Sequence, residues 1–215
     1  MKTLVIIPSI FEAKLIAVKP VLHEYIKISD KLLLTISGIG NSGIKTVKEI
    51  VKKETVRNLV VIGMCGNLSE KERIGQSYVV DSVTNKKLTL PLDKKNNELI
   101  ESFLNSHNKL TPHTKPADLI TVNKPVQTAE RRFELSKLAE LVDMETFHYA
   151  ELCKDMNLRL SAIRVVSDNC NTDLKEYFKG KEKNTIDVKR LKRAQATIES
   201  IFNSIVKQLS LKTLQ

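Results

Sequence analysis

The sequence predicts an α/β protein: a three-layer sandwich with a central mixed, mostly parallel, twisted sheet flanked by helices. Short apolar, β-branched runs alternate with longer stretches of helical period, as expected of strands buried on both faces. No internal repeat, low-complexity tract or Gly/Ser linker divides the chain, so residues 1–215 read as one domain. Several apolar runs end in an acid or a glycine cluster, where open α/β sheets place their ligands.

In chain order, residues 3–8 read as a first strand, and residues 11–18 as a helix stopped at Lys19 before Pro20. Residues 32–37 read as a second buried strand. Gly38-Ile39-Gly40-Asn41-Ser42-Gly43 then leads into an amphipathic helix over residues 44–53, with Ile44, Val47, Ile50 and Val51 on one face. Strands are expected over residues 58–64 and 77–83, a helix over 96–104, and a loop at Thr111-Pro112-His113. Beyond a strand at 119–123, residues 127–137 read as a helix, with Thr128 as its cap and Arg131 beside Glu134. Residues 140–144 read as a strand, 145–155 as a helix packing through Phe147, Ala150 and Leu152, 160–167 as a strand, and 185–209 as a terminal helix.

With 41% hydrophobic and 28% charged residues, the composition is that of a globular protein with a sizeable core. No apolar run approaches the roughly 20 residues that span a bilayer, and the N-terminus reads as a strand rather than a signal peptide. Cys65, Cys153 and Cys170 lack metal or redox spacing and suit reduced thiols in the cytoplasm. The formal charge of +10 is scattered over lysine-rich faces without a nucleic-acid motif, so neither nucleic acid nor membrane is the expected partner. His23, His107, His113 and His148 show no metal spacing; neither a metal nor a cofactor is expected.

The chemistry is carried by acids. Glu145 follows Leu141-Val142-Asp143-Met144, and Asp168 follows Ile163-Arg164-Val165-Val166-Ser167; each sits where an apolar run ends. Two carboxylates converging on one crevice can divide labour, one staying ionised while the other holds or donates a proton. That division suits a bond whose leaving group needs protonation and whose transition state is cationic, as in a glycosidic bond. Each acid also has a plainer use: Glu145 as a helix-terminal charge, Asp168 as a cap in a loop rich in Asn and Asp, and Glu12 as a solvated first-turn residue. The glycines 38, 40 and 43 spell G-x-G-x-x-G, but the acid expected at the end of the next strand is missing, so a tight strand-to-helix turn is favoured over a dinucleotide site. His148, three residues after Glu145, can orient it, though packing is the more common use.

Four blocks taken together resemble the nucleoside phosphorylase and nucleosidase superfamily: residues 6–12, Ser37-Gly38-Ile39-Gly40, Ile62-Gly63-Met64-Cys65-Gly66 with Ile74-Gly75, and residues 142–145 with 162–168. That superfamily includes methylthioadenosine/S-adenosylhomocysteine nucleosidase, futalosine hydrolase and hopanoid-associated proteins, and residues 119–123, Pro125-Val126 and 142–145 look most like the futalosine and hopanoid branches. The resemblance implies a phosphorylase/hydrolase-like fold and cleavage of the base–ribose bond of a purine nucleoside or a 5′-substituted one. It assigns Met144 and Glu145 to the ribose, Asp168 to the leaving base and Glu12 to an attacking water, with Ser167, Cys65 and Gly66 also contacting substrate. It further implies a homodimer with a small-molecule nucleoside as partner. The chain has no arginine before Arg57 and none directly ahead of Gly63, so the phosphate clamp of the phosphorylases is missing and water is the expected nucleophile. A phosphate-dependent phosphorylase and a catalytically weak nucleoside-binding protein are the alternatives. Asn171 stands where the family often has a second acid.

Overall fold

The computed structural model describes residues 1–69, 74–107, 113–169 and 185–211. The strands are β1 (Lys2–Ile7), β2 (Tyr25–Ser29), β3 (Leu32–Ile36), β4 (Val56–Asn67), β5 (Ser77–Thr84), β6 (Thr89–Pro91), β7 (Lys115–Thr121), β8 (Leu141–Asp143) and β9 (Arg159–Asp168). The helices are α1 (Ile44–Glu54), α2 (Lys94–His107), α3 (Ala129–Ser136), α4 (Thr146–Met156) and α5 (Thr185–Leu211). A single 3-10 turn, Gly40–Gly43, precedes α1.

The strands run in the order β2-β3-β1-β4-β8-β7-β5-β6, and β9 pairs with both β4 and β5. β1 is parallel to β3 and β4, and β4 is parallel to β9. These central strands are buried on both faces, which is why they read as continuous apolar runs. Alternation along β1 sends Leu4 and Ile6 to a core with Val47, Ile50 and Phe147, under α1 and α4. Val5 and Ile7 join the opposite core with Leu104, Ile198, Ile201 and Phe202, under α2 and α5. A smaller cluster, including Leu68, Ile120, Leu135 and Val142, lies under α3. The sandwich is therefore as expected. Its sheet also does something the sequence did not indicate: the pairs β4–β9, β9–β5, β5–β7, β7–β8 and β8–β4 close a ring of five strands.

Most elements fall where the periodicity places them, and strand β4 extends past its expected end to Asn67. Thr128 caps α3 through the Arg131 N–H, and Arg131 pairs with Glu134 at 2.6 Å. The expected helix over residues 11–18 does not form. Its backbone makes isolated turns instead, with the Ile16 N–H bonded to the Ala13 carbonyl, and Ala13 and Ile16 bury while Phe11, Leu15 and Val18 stay exposed. Two short strands escaped the sequence reading. β2 is half-buried and polar at alternate positions, and β6 spans three residues, too few for a periodic signal. Thr111 and Pro112, with Cys170 and Asn171, lie outside the described residues.

Candidate active site

A pocket of about 280 Å³ opens where β1, β4, β8 and β9 end. Its lining includes Glu12, Cys65, Gly66, Met144, Glu145, Ser167 and Asp168, so the structure brings together every site residue expected from sequence. The rest of the wall is largely apolar, with Phe11, Ile39, Val122, Val126 and Leu191 among its members.

Each acid is positioned by backbone. Glu12 stands on the turn after β1 and is buried; its Oε1 accepts from the Met64 N–H at 2.6 Å and its Oε2 from Ser9 Oγ at 2.7 Å. Burial pushes its carboxyl above the usual carboxylate range, against the pull of these hydrogen bonds and of Arg164. Glu145 is the N-cap residue of α4, and its Oε1 accepts the Gly40 N–H at 3.0 Å. The glycine-rich turn thus holds a carboxylate of the protein itself. Gly40 has a φ of +66°, which an L side chain rarely adopts. Burial, followed by the charge of Asp143, raises the Glu145 carboxyl to about 7.

Asp168 owes its place to an irregularity. β4 and β9 run in register from Asn58↔Arg159 to Cys65↔Val166, then shift so that Gly66 faces Asp168. Ser167 is the extra residue of this bulge. Its Oγ lies 2.8 Å from Asp168 Oδ1 and 3.2 Å from the Cys65 carbonyl oxygen. The other carboxylate oxygen, Oδ2, accepts from Arg132 of α3. Cys65 is buried in the wall, and burial holds its thiol well above the ordinary range.

Sequence reasoning passed over three residues. Arg164 is fully buried, and its Nη2 lies 2.5 Å from Asp143 Oδ2 and 3.8 Å from Glu145 Oε2. Its Nε and Nη2 also donate to Thr146 Oγ1, which in turn donates to Asp143. Asp143 accepts the Thr146 N–H at 2.9 Å and the Thr121 hydroxyl at 2.6 Å, so it ties β7, α4 and β9 together. A charge inside the apolar run Ile163-Arg164-Val165 was the available signal, since buried arginines are rare unless paired. Arg132 was harder to see: it shares a helix face with buried Leu135, three residues on, and stands beside an exposed twin, Arg131. His148 does not orient the Glu145 carboxylate; its Nδ1 lies 4.0 Å from Glu151, and only its backbone N–H meets the Glu145 carbonyl. Among the described residues no group of three His, Cys, Asp or Glu side chains could hold a metal ion.

The family model of the phosphorylase superfamily matches residues 21–206. The chain belongs to that superfamily. No curated protein sequence matches it. Among solved structures, this superfamily member is similar to the 5′-methylthioadenosine/S-adenosylhomocysteine nucleosidase of Helicobacter pylori, at 17% identity and a TM-score of 0.76, covering 97% of this chain and 98% of that one. The corresponding nucleosidase of Neisseria meningitidis, in complex with methylthio-immucillin-A, gives 17% identity and 0.76 over 97% and 100%. Futalosine hydrolase of H. pylori gives 16% and 0.72 over 94% and 97%. At such identities the likeness shows a shared fold.

Proposed function

We propose that the protein is an N-glycosidase that hydrolyses the base–ribose bond of a purine nucleoside or a 5′-substituted one. The observation that carries this reading is the convergence of three acids, Glu12, Glu145 and Asp168, on one largely apolar pocket in a phosphorylase-superfamily fold. Breaking the bond leaves a cationic sugar and an electron-rich base. Glu145, beside the ribose with Met144, faces the developing cation and stabilises it more than the ground state. Asp168, supported by Ser167, meets the leaving base and holds the proton that neutralises it. Glu12 orients and deprotonates a water on the far side of the sugar. Its burial suits that task, because a carboxylate pushed above its usual range is a stronger base near neutral pH.

Water rather than phosphate is favoured by the charges around Glu12. Arg164 is paired through Nε and Nη2 with Asp143 and Thr146, its buried Nη1 has no hydrogen-bond partner among the described residues, and Arg132 is paired with Asp168, so neither presents a two-pronged fork to an anion. A phosphate dianion brought beside the buried Glu12 would meet a like charge in a poorly solvated place. The test is base release from a panel of purine ribosides with and without phosphate. Phosphate-independent release of base and free sugar is the expected result, with at least about 10²-fold loss in Glu12→Gln. Accumulation of a sugar 1-phosphate would make the protein a phosphorylase. Binding without release would leave a nucleoside-binding protein.

The reading includes a homodimer. Phe147, Leu90 and Leu92 are consumed by the chain's own core, while Leu88 stays exposed. Exposed Ile10, Phe11, Leu15, Val18, Val21 and Ile39 lie instead on the segments that carry Glu12 and Gly40, and Phe11 and Ile39 line the pocket. Such clustered apolar surface favours a covering partner. A cytoplasmic setting fits the unpaired Cys65 and Cys153.

A further inference from the structure

Arg132 is a large, charged side chain with only 2% of its surface exposed. Burying a guanidinium is costly unless its donors are used. Here Nη1 donates to the Asn67 carbonyl at 3.2 Å, and Nη2 donates to the Val126 carbonyl at 3.3 Å and to Asp168 Oδ2, while the buried Nε has no hydrogen-bond partner among the described residues. The two carbonyls come from the end of β4 and from the loop before α3, so the guanidinium plane is fixed independently of Asp168. The carboxylate is then gripped on both oxygens, by Arg132 on Oδ2 and by Ser167 on Oδ1.

The neighbouring strand makes room for this pair. A Cβ on Gly66 would lie 3.0 Å from Asp168 Oδ2, 3.0 Å from Val142 Cγ1 and 3.3 Å from Arg132 Nη1. A residue without a side chain therefore stands where the ion pair passes β4. An aspartate has lone pairs for about four hydrogen bonds. With one site on each oxygen taken, those that remain are directed by the grip.

We propose that Arg132 is a positioning residue: it fixes the Asp168 carboxylate so that its remaining lone pairs meet the leaving base. This rests on the glycosidase reading of the same pocket. Arg132 acts on the leaving group alone, through Asp168; the sugar and the water are served by Glu145 and Glu12. Its removal should therefore matter in proportion to how much the leaving group needs help.

The experiment compares wild type, Arg132→Met, Arg132→Lys and Asp168→Asn, singly and with Arg132→Met combined with Asp168→Asn. Two substrates are used: a purine riboside cleaved by wild type, and p-nitrophenyl β-D-ribofuranoside, whose phenolate departs without a proton. With the purine riboside, Arg132→Met should lower kcat by about 10²-fold with little change in KM, and Arg132→Lys, which keeps the charge without the planar fork, by less. With the p-nitrophenyl riboside the loss should stay within about threefold. In the Asp168→Asn background, Arg132→Met should cost nothing further, because the two residues act as a unit. Equal losses on both substrates, or additive losses in the double variant, would show a merely structural role and overturn the proposal. If Arg132→Met fails to fold, the same comparison in Arg132→Lys decides it. A wild type that releases base from no purine riboside would overturn the glycosidase reading itself, which the variants cannot do.

Discussion

Glu145 is where acidity, stability and turnover meet. Its carboxyl is raised from 4.5 to about 7, first by burial and then by Asp143. Between these values the folded chain holds a proton that the unfolded chain releases. Stability from this group is therefore full below about pH 4.5 and is lost as pH rises through about 7. Activity runs the other way, because the ionised form faces the sugar cation, so kcat/KM should rise through about pH 7. Urea midpoints at about pH 5 and pH 8 should show wild type weaker at the higher pH, with the difference shrinking in Glu145→Gln. A pH–rate profile unchanged in Glu145→Gln would count against the ribose role. For Asp168→Asn we expect kcat to fall with KM nearly unchanged; a variant above about a tenth of wild-type kcat would contradict the leaving-group role. Glu145 and Asp168 were legible because each ends an apolar run, a local signal. Arg132 was not: its partner lies 36 residues away, and nothing near it in sequence marks its side chain as buried. Arg164 was legible in principle as a charge inside an apolar strand, although its partners Asp143 and Thr146 belong to another segment.

Among the elements, α3 is short and carries the most exposed responsibility. It has eight residues, and its N-cap bond from the Arg131 N–H to Thr128 Oγ1 spans 3.2 Å. Thr128→Ala should cost about 1 kcal/mol of stability. Because α3 carries Arg132, the same change should lower kcat for purine ribosides more than it raises KM; a loss of melting temperature with kinetics intact would separate the helix from the site. Strand β4 gives the complementary case. A Cβ at Gly66 meets three groups at 3.0–3.3 Å, and one at Gly63 would lie 2.9 Å from Glu12 Oε1 and closer still to Arg164. Gly66→Ala should therefore damage the leaving-group side and Gly63→Ala the water side, each with roughly 1–3 kcal/mol of overpacking. Element types were readable because α1 has a strong helical period and β9 reads as a continuous apolar run. The residues 11–18 were misread because their apolar side chains divide between the core (Ala13, Ile16), the pocket wall (Phe11) and the surface (Leu15, Val18), and no repeating backbone bond supports them.

For the whole molecule, the sandwich followed from alternating strands and helices, but the closed ring of five strands did not. Ring closure depends on β9 pairing with both β4 and β5, and no local pattern encodes a strand's second neighbour. The molecule should be a dimer, with a sedimentation mass near twice 24.3 kDa at micromolar concentration; a mass near 24.3 kDa would remove the partner expected over Ile10, Phe11 and Ile39. The bulge at Ser167 has a consequence for how such a protein tolerates change in length. It makes strand β9 one residue longer than its partner at the pocket, so the direction of Asp168 is set by a count along the chain as well as by contacts. Removing Leu160, Ser161 or Ala162 would delete no acid, no arginine and no glycine of the site, yet it would shift the strand by half its repeat and turn both Arg164 and the Asp168 carboxylate toward the opposite face. In this stretch, insertions and deletions should therefore be excluded more strictly than substitutions.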